Sequence, residues 1–168
     1  ARADGGLDWL DLANQTVTPG EDCGYTKYMQ SVDAIVMGRA TFDKVCSFPE
    51  WPYADMPVYV LSTTLHTVPD GTPPSVHIHA GPPASLLAHA ITQGHPRLYV
   101  DGGRTVQSFI SAGLLDEITI TTIPVLLGAG LPLFGPLAQD VQLTHLQTST
   151  FPFGFVQTRY EVQWGAVD

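Results

Sequence analysis

The sequence predicts an α/β domain, with a mostly parallel central sheet, helices on both of its faces and an antiparallel C-terminal edge. Three observations point there. Short unbroken apolar runs such as Ala34-Ile35-Val36-Met37 suit strands buried on both faces. Stretches of helical period alternate with those runs, as in doubly wound sheets. The final two apolar stretches flank a Pro152/Gly154 turn, the pattern of an antiparallel pair. At 168 residues, with no internal repeat and no linker, the chain reads as one domain over 1–168.

The elements follow in order. The opening Ala1-Arg2-Ala3-Asp4-Gly5-Gly6 is loop chemistry, and the buried first strand expected of such a domain is missing from the numbering. Leu7-Asp8-Trp9-Leu10 forms a short apolar patch. Pro19-Gly20-Glu21-Asp22 reads as a turn that starts a helix reaching about Val32, with Tyr25, Tyr28, Met29 and Val32 on one face. Strand Ala34–Met37 passes through Gly38-Arg39-Ala40-Thr41 into a second helix. Strand Val58–Leu61 closes on Ser62-Thr63-Thr64, and a Pro/Gly-rich stretch leads to a weaker strand, Val76–His79. A helix runs from Pro83 to Gln93, with Gly94 as its stop. Strand Leu98–Val100 meets the tight turn Asp101-Gly102-Gly103 and a helix from Arg104 to Ala112. Ile118–Ile123 alternates Ile with Thr as a strand with unlike faces, before Val141–Thr148 and Phe155–Trp164.

Composition narrows the function. Charged residues are only 14%, and 16 acids face 7 bases, for a net charge of −9. A polyanion partner requires a basic stripe, and none exists, which argues against nucleic acid and anionic membrane. The low charge also suggests a surface covered by a second subunit, a homodimer. Cys23 and Cys46 lack metal spacing and read as thiols of a reduced, cytoplasmic protein. No apolar run approaches a membrane span, and no signal-peptide pattern opens the chain.

Ligands in open α/β sheets gather outside the carboxyl ends of the strands. Three turns lie at such ends: Met37-Gly38-Arg39-Ala40-Thr41, Leu61-Ser62-Thr63 and Val100-Asp101-Gly102-Gly103-Arg104-Thr105. The first and third open helices, whose leading amides attract anions, and glycine lets a phosphate approach the backbone. Arg39 adds a charged fork, and Ser62 and Thr63 add hydroxyls. Each turn alone could be an ordinary bend; together they suit a dinucleotide, with Arg and Ser favouring a 2′-phosphate. There is no intact G-x-G-x-x-G fingerprint, which disfavours a standard Rossmann site.

In order and spacing, Val36-Met37-Gly38-Arg39-Ala40-Thr41-Phe42, Val60-Leu61-Ser62-Thr63 and Val100-Asp101-Gly102-Gly103-Arg104 resemble the cofactor motifs of dihydrofolate reductases. The run Ile123 to Phe134 and the opening Asp4-Gly5-Gly6-Leu7-Asp8-Trp9-Leu10 are closer to a sister group. That group holds the reductase domain of the bifunctional riboflavin-biosynthesis deaminase/reductase and many stand-alone proteins like it. The resemblance implies a dihydrofolate-reductase-like fold and an NADPH-dependent reductase passing hydride to a small pterin- or pyrimidine-like substrate. By matched position it implies Gly38, Arg39 and Thr41 at the pyrophosphate and adenosine side, and Leu61, Ser62 and Thr63 at the adenine and 2′-phosphate. Gly102, Gly103, Arg104 and Thr105 would wrap the pyrophosphate, with a cis Gly102-Gly103 bond as one form of that turn.

The helix carboxylate that binds and helps protonate pterin in dihydrofolate reductases falls, by counting back, on Asp22. Proton transfer is its catalytic reading, and stabilising a helix start is its structural one. His77-x-His79 places two imidazoles on one strand face with no third metal ligand in view, so no metal is expected. Trp9, Trp51 and Tyr53 are candidates either for the cleft mouth or for the core. Two alternatives stand beside the reductase. One is a nucleotide-binding or structural dimer without turnover. The other is a riboflavin-pathway aminopyrimidine reductase, against which the shortage of basic residues counts.

Overall fold

The computed structural model describes residues 1–165. Its contacts gather into two compact units, one of Tyr25–Leu114 and one of Ala1–Gly24 with the chain from Leu115 onward.

In the Tyr25–Leu114 unit the elements are α2 (Tyr25–Met29), β1 (Ala34–Gly38), α3 (Arg39–Cys46), β2 (Val58–Leu61), β3 (Val76–His79), α4 (Pro83–Thr92), β4 (Leu98–Asp101) and α5 (Gly103–Ser111). The four strands form a parallel sheet in the order β3-β2-β1-β4. Ala34, Ile35, Val36 and Met37 are fully buried, as the unbroken apolar run requires of a central strand. Register partners share a face, which puts Ile35, Met37, Val58, Val60 and Val76 together. Phe42 and Val45 of α3 complete that core. The opposite face holds Tyr59 and His77, and α4 covers it, with His89 against Tyr59. The faces follow from connection handedness: β1 to β2 and β3 to β4 step in opposite directions, so right-handed crossovers lie on opposite sides.

The unit built from both ends of the chain contains α1 (Asp8–Asn14), β5 (Glu117–Thr122), β6 (Gln142–Thr150) and β7 (Val156–Gln163). The strands are antiparallel in the order β5-β7-β6. Gly154, at φ 89°, turns β6 into β7. The antiparallel strands at the C-terminus are therefore present, hydrogen-bonded as a sheet of their own.

The patch Leu7-Asp8-Trp9-Leu10 leads into helix α1. One local expectation is corrected. The helix expected from the Pro19–Asp22 turn to Val32 shrinks to the five residues Tyr25–Met29. Glu21 and Asp22 explain this. Their carboxylates accept the backbone N–H groups of Cys23 (2.7 Å) and Gly24 (2.8 Å), and Cys23 and Gly24 take left-handed φ of 53° and 80°. Acidic side chains that bond the next amides compete with helix formation, so Asp22 belongs to a turn and not to a helix start.

Candidate cofactor and substrate site

Between the carboxyl ends of β1 and β4 the chain reverses its winding, and such a switch point is where open α/β sheets take ligands. Both strands run straight into helices there, β1 into α3 at Arg39 and β4 into α5 at Gly103. Neither helix start is capped by a side chain. Their leading amides are left for another acceptor, which suits an anion.

The two turns interlock. A Cβ on Gly38 would sit 2.7 Å from Thr105 Oγ1, and one on Gly102 would collide with Thr41 Oγ1. Gly102 also has φ 91°, where side chains other than hydrogen are strained. Gly103 opens onto free space. The cis Gly102-Gly103 bond implied by resemblance is not found: no cis peptide occurs among the described residues, and the positive φ of Gly102 makes the bend.

The structure thus brings Gly38, Arg39, Thr41, Gly102, Gly103, Arg104 and Thr105 together at the adjacent carboxyl ends of β1 and β4. Arg39 gives its Nε–H to both carboxylate oxygens of Asp43 at 2.8 Å, which leaves the outer edge of its guanidinium free to meet a phosphate. Arg104 makes no ion pair among the described residues. Leu61, Ser62 and Thr63 end the neighbouring strand. Ser62 is 8% exposed and its hydroxyl accepts the N–H of Leu65 at 3.1 Å, while Thr63 is exposed. Asp22 lies in the other unit, in the exposed turn described above.

Sequence reasoning quoted Asp101 as part of a turn and missed its chemistry. It occupies the end of β4, on the face of Met37 and Tyr99. Burial raises the pKa of its carboxyl, opposed by the Gly102 N–H at 2.8 Å and by a hydrogen bond with Tyr99. Tyrosines surround it: burial and the Asp101 charge push the Tyr53 hydroxyl up to about 12 and raise those of Tyr25 and Tyr99 too. Tyr28 packs edge-on to Tyr99 at 5.3 Å, and Trp51 to Tyr53 at 5.5 Å. Trp51 and Tyr53 pack on the core cluster and so join the core to the Asp101 neighbourhood. The Trp51 indole N–H is buried with no acceptor among the described residues. An acid placed two residues after a tyrosine and directly before Gly-Gly was the available signal.

The parallel four-stranded sheet with a separate antiparallel trio places this chain in the dihydrofolate-reductase-like class of α/β proteins. The model of the RibD C-terminal domain matches residues 3–156, and the chain belongs to that family. The uncharacterised protein YwjB of Bacillus subtilis is 33% identical over 153 residues, 90% of this chain and 84% of that one. A solved protein from Shewanella sp. PV-4, assigned provisionally to riboflavin biosynthesis, is 38% identical with a TM-score of 0.89, covering 98% of this chain and 92% of its own. The Thermotoga maritima deaminase/5-amino-6-(5-phosphoribosylamino)uracil reductase shares the fold at 14% identity and a TM-score of 0.63; 86% of this chain covers 49% of it. Among the described residues no helix is long and apolar enough to cross a membrane.

Proposed function

We propose that the protein is a cytoplasmic, NADPH-dependent reductase of a small aminopyrimidine- or pterin-like heterocycle. The observation that carries this reading is the half-buried carboxyl of Asp101, among tyrosines, beside two uncapped helix starts. The residues fit the cofactor: amides of α3 and α5 and the outer guanidinium edge of Arg39 for its phosphates, and glycines where its backbone approach is closest. When bound, NADPH supplies a hydride. The chain's own residues bind and orient the reactants and keep water away. Tyr25, Tyr53 and Tyr99 offer flat faces and hydroxyls to a ring, and Asp101 recognises its amino edge and holds a proton for the reduced product. A riboflavin-pathway aminopyrimidine reductase is the narrower form of this reading, supported by the descriptions of the solved relatives; Arg104 is then the cation available to a substrate phosphate. Asp22 is the second candidate acid, and an Asp22→Asn variant assayed in parallel separates the two.

Titration of cofactor fluorescence tests the cofactor. NADPH is expected to bind more tightly than NADH, and Arg39→Ala to weaken NADPH by about 10- to 100-fold, the value of one or two charge-assisted hydrogen bonds. Equal, weak binding of both cofactors to the folded protein would leave a dimer of this fold without turnover.

The same reading includes a homodimer. In the antiparallel unit, Leu126 is 99% exposed, and Leu131, Leu133, Phe134, Leu143 and Leu146 are also exposed. Exposed apolar side chains on an edge strand, β6, as Leu143 and Leu146 are, suit a second copy of the chain. Light scattering is expected to give twice the monomer mass, and Leu126→Asp to shift it toward the monomer; a monomeric wild type removes the dimer.

A further inference from the structure

The ion pair at the start of α3 runs against what would stabilise that helix. Arg39 is its first residue, where the helix dipole disfavours a cation, and the first turn holds no acid. Asp43 follows one turn later, so the cation precedes the anion, the weaker of the two orders at this spacing. The two side chains are 45% and 53% exposed, and exposed pairs of this kind add little to stability. Helix stability therefore does not account for the pair.

Its geometry has a more specific effect. The Arg39 Nε–H is shared between both Asp43 carboxylate oxygens, each at 2.8 Å. The Nη1 and Nη2 groups make no hydrogen bond among the described residues, and as a planar fork they match a phosphate. A free arginine gives up rotamer freedom when it meets an anion. One already held through its Nε gives up less.

The place of the fork selects the phosphate. Gly38 is the register partner of Leu61, so Arg39 follows β1 beside the turn that ends β2. That turn brings no cation. The Ser62 hydroxyl accepts the N–H groups of Thr64 and Leu65 at 3.3 and 3.1 Å, and Thr63 is exposed and uncharged. The other cations of this unit lie elsewhere: Lys27 on α2, Lys44 in the last turn of α3, Arg97 before β4 with Asp33, and Arg104 on α5.

We propose that Asp43 is a positioning residue for cofactor discrimination, which holds the Arg39 guanidinium in the orientation that takes the 2′-phosphate of NADPH. The proposal rests on the reductase reading above and adds to it the residue that makes Arg39 selective. Asp43 acts through Arg39 and not on the cofactor directly. Its carboxylate also carries the wrong charge for a phosphate, so the two effects of removing it are opposite in sign. Loss of positioning weakens NADPH binding, whereas relief of repulsion tightens it.

Calorimetric titration of the intact protein tests this, with NADPH and NADH, and with adenosine 2′,5′-bisphosphate and adenosine 5′-monophosphate as cofactor fragments. Asp43→Ala is expected to weaken NADPH and the bisphosphate by about 3- to 10-fold, the effect of leaving one long side chain to be ordered on binding. NADH and the monophosphate are expected to bind as before. Asp43→Asn keeps one oxygen acceptor and falls between Asp43→Ala and the wild type. In an Arg39→Ala background, Asp43→Ala is expected to have no further effect, which a general disturbance of α3 would not reproduce. The urea midpoint should stay at the wild-type value. Unchanged or tighter NADPH binding by Asp43→Ala, or equal losses for NADPH and NADH, overturns the positioning role while the NADPH preference of the wild type, and with it the reductase reading, stands. A wild type that prefers the 2′-phosphate in neither pair overturns both.

Discussion

Replacing Gly102 with alanine is expected to abolish tight cofactor binding and to destabilise the fold by ~2–4 kcal/mol. Two costs add. The residue holds φ 91°, where a Cβ is strained by its own backbone. The new methyl also enters the space of the Thr41 hydroxyl, so that side chain or the α3 and α5 starts must shift. Displacing aligned donors by about an ångström costs on the order of 10²-fold in a positioned complex. Urea denaturation and NADPH titration of the same preparation read the two effects separately. Wild-type stability in the variant would show that the turn does not depend on this conformation.

Asp101→Asn is expected to split stability from activity. Burial makes the charged carboxylate costly, so its folded-state pKa lies above the ordinary 3.8. For a carboxyl shifted upward, stability is greatest when it is protonated and is lost as the pH rises through the unfolded and then the folded pKa. Near neutral pH the variant removes that penalty, and it should unfold at an equal or higher urea concentration than the wild type. Turnover should fall by about 10²-fold or more, the usual contribution of a placed acid. The wild-type rate should also decline as the pH rises through the raised pKa, and the asparagine variant should lose that limb. A variant with full turnover and an unchanged pH profile would remove Asp101 from the chemistry.

Strands were the most legible part of the fold. Val58–Leu61 ends where its apolar run ends, because burial on two faces leaves no choice of pattern, and Val76–His79 follows its alternation of apolar residues with histidines. Gly94 stops α4 as its position suggested, at φ 84°. The Pro19–Val32 stretch misled because its aromatic spacing is helical while two carboxylates capture the amides at its start; periodicity does not weigh that competition. The division into two sheets was hidden too, since strand partners are chosen by tertiary pairing. At the site, the glycine and arginine turns stood out through residue types needed at strand ends. Asp101 did not, because the tyrosines whose hydroxyls its charge acts on include Tyr25 and Tyr53, 76 and 48 positions earlier in the chain.

The interlocked turns also constrain how this sequence can change over time. Thr105 fills the space beside Gly38 and so sets the residue that position can carry, whereas the φ of Gly102 keeps glycine there whatever residue stands at 41. Substitutions at 38 and 105 should be strongly non-additive. A larger residue at 38 is tolerable only after 105 has shrunk, and the reverse order passes through a gap in the packing. Variation here should therefore proceed in coupled steps across 38 with 105, and a library that randomises those two together will recover functional combinations that single-site scans reject.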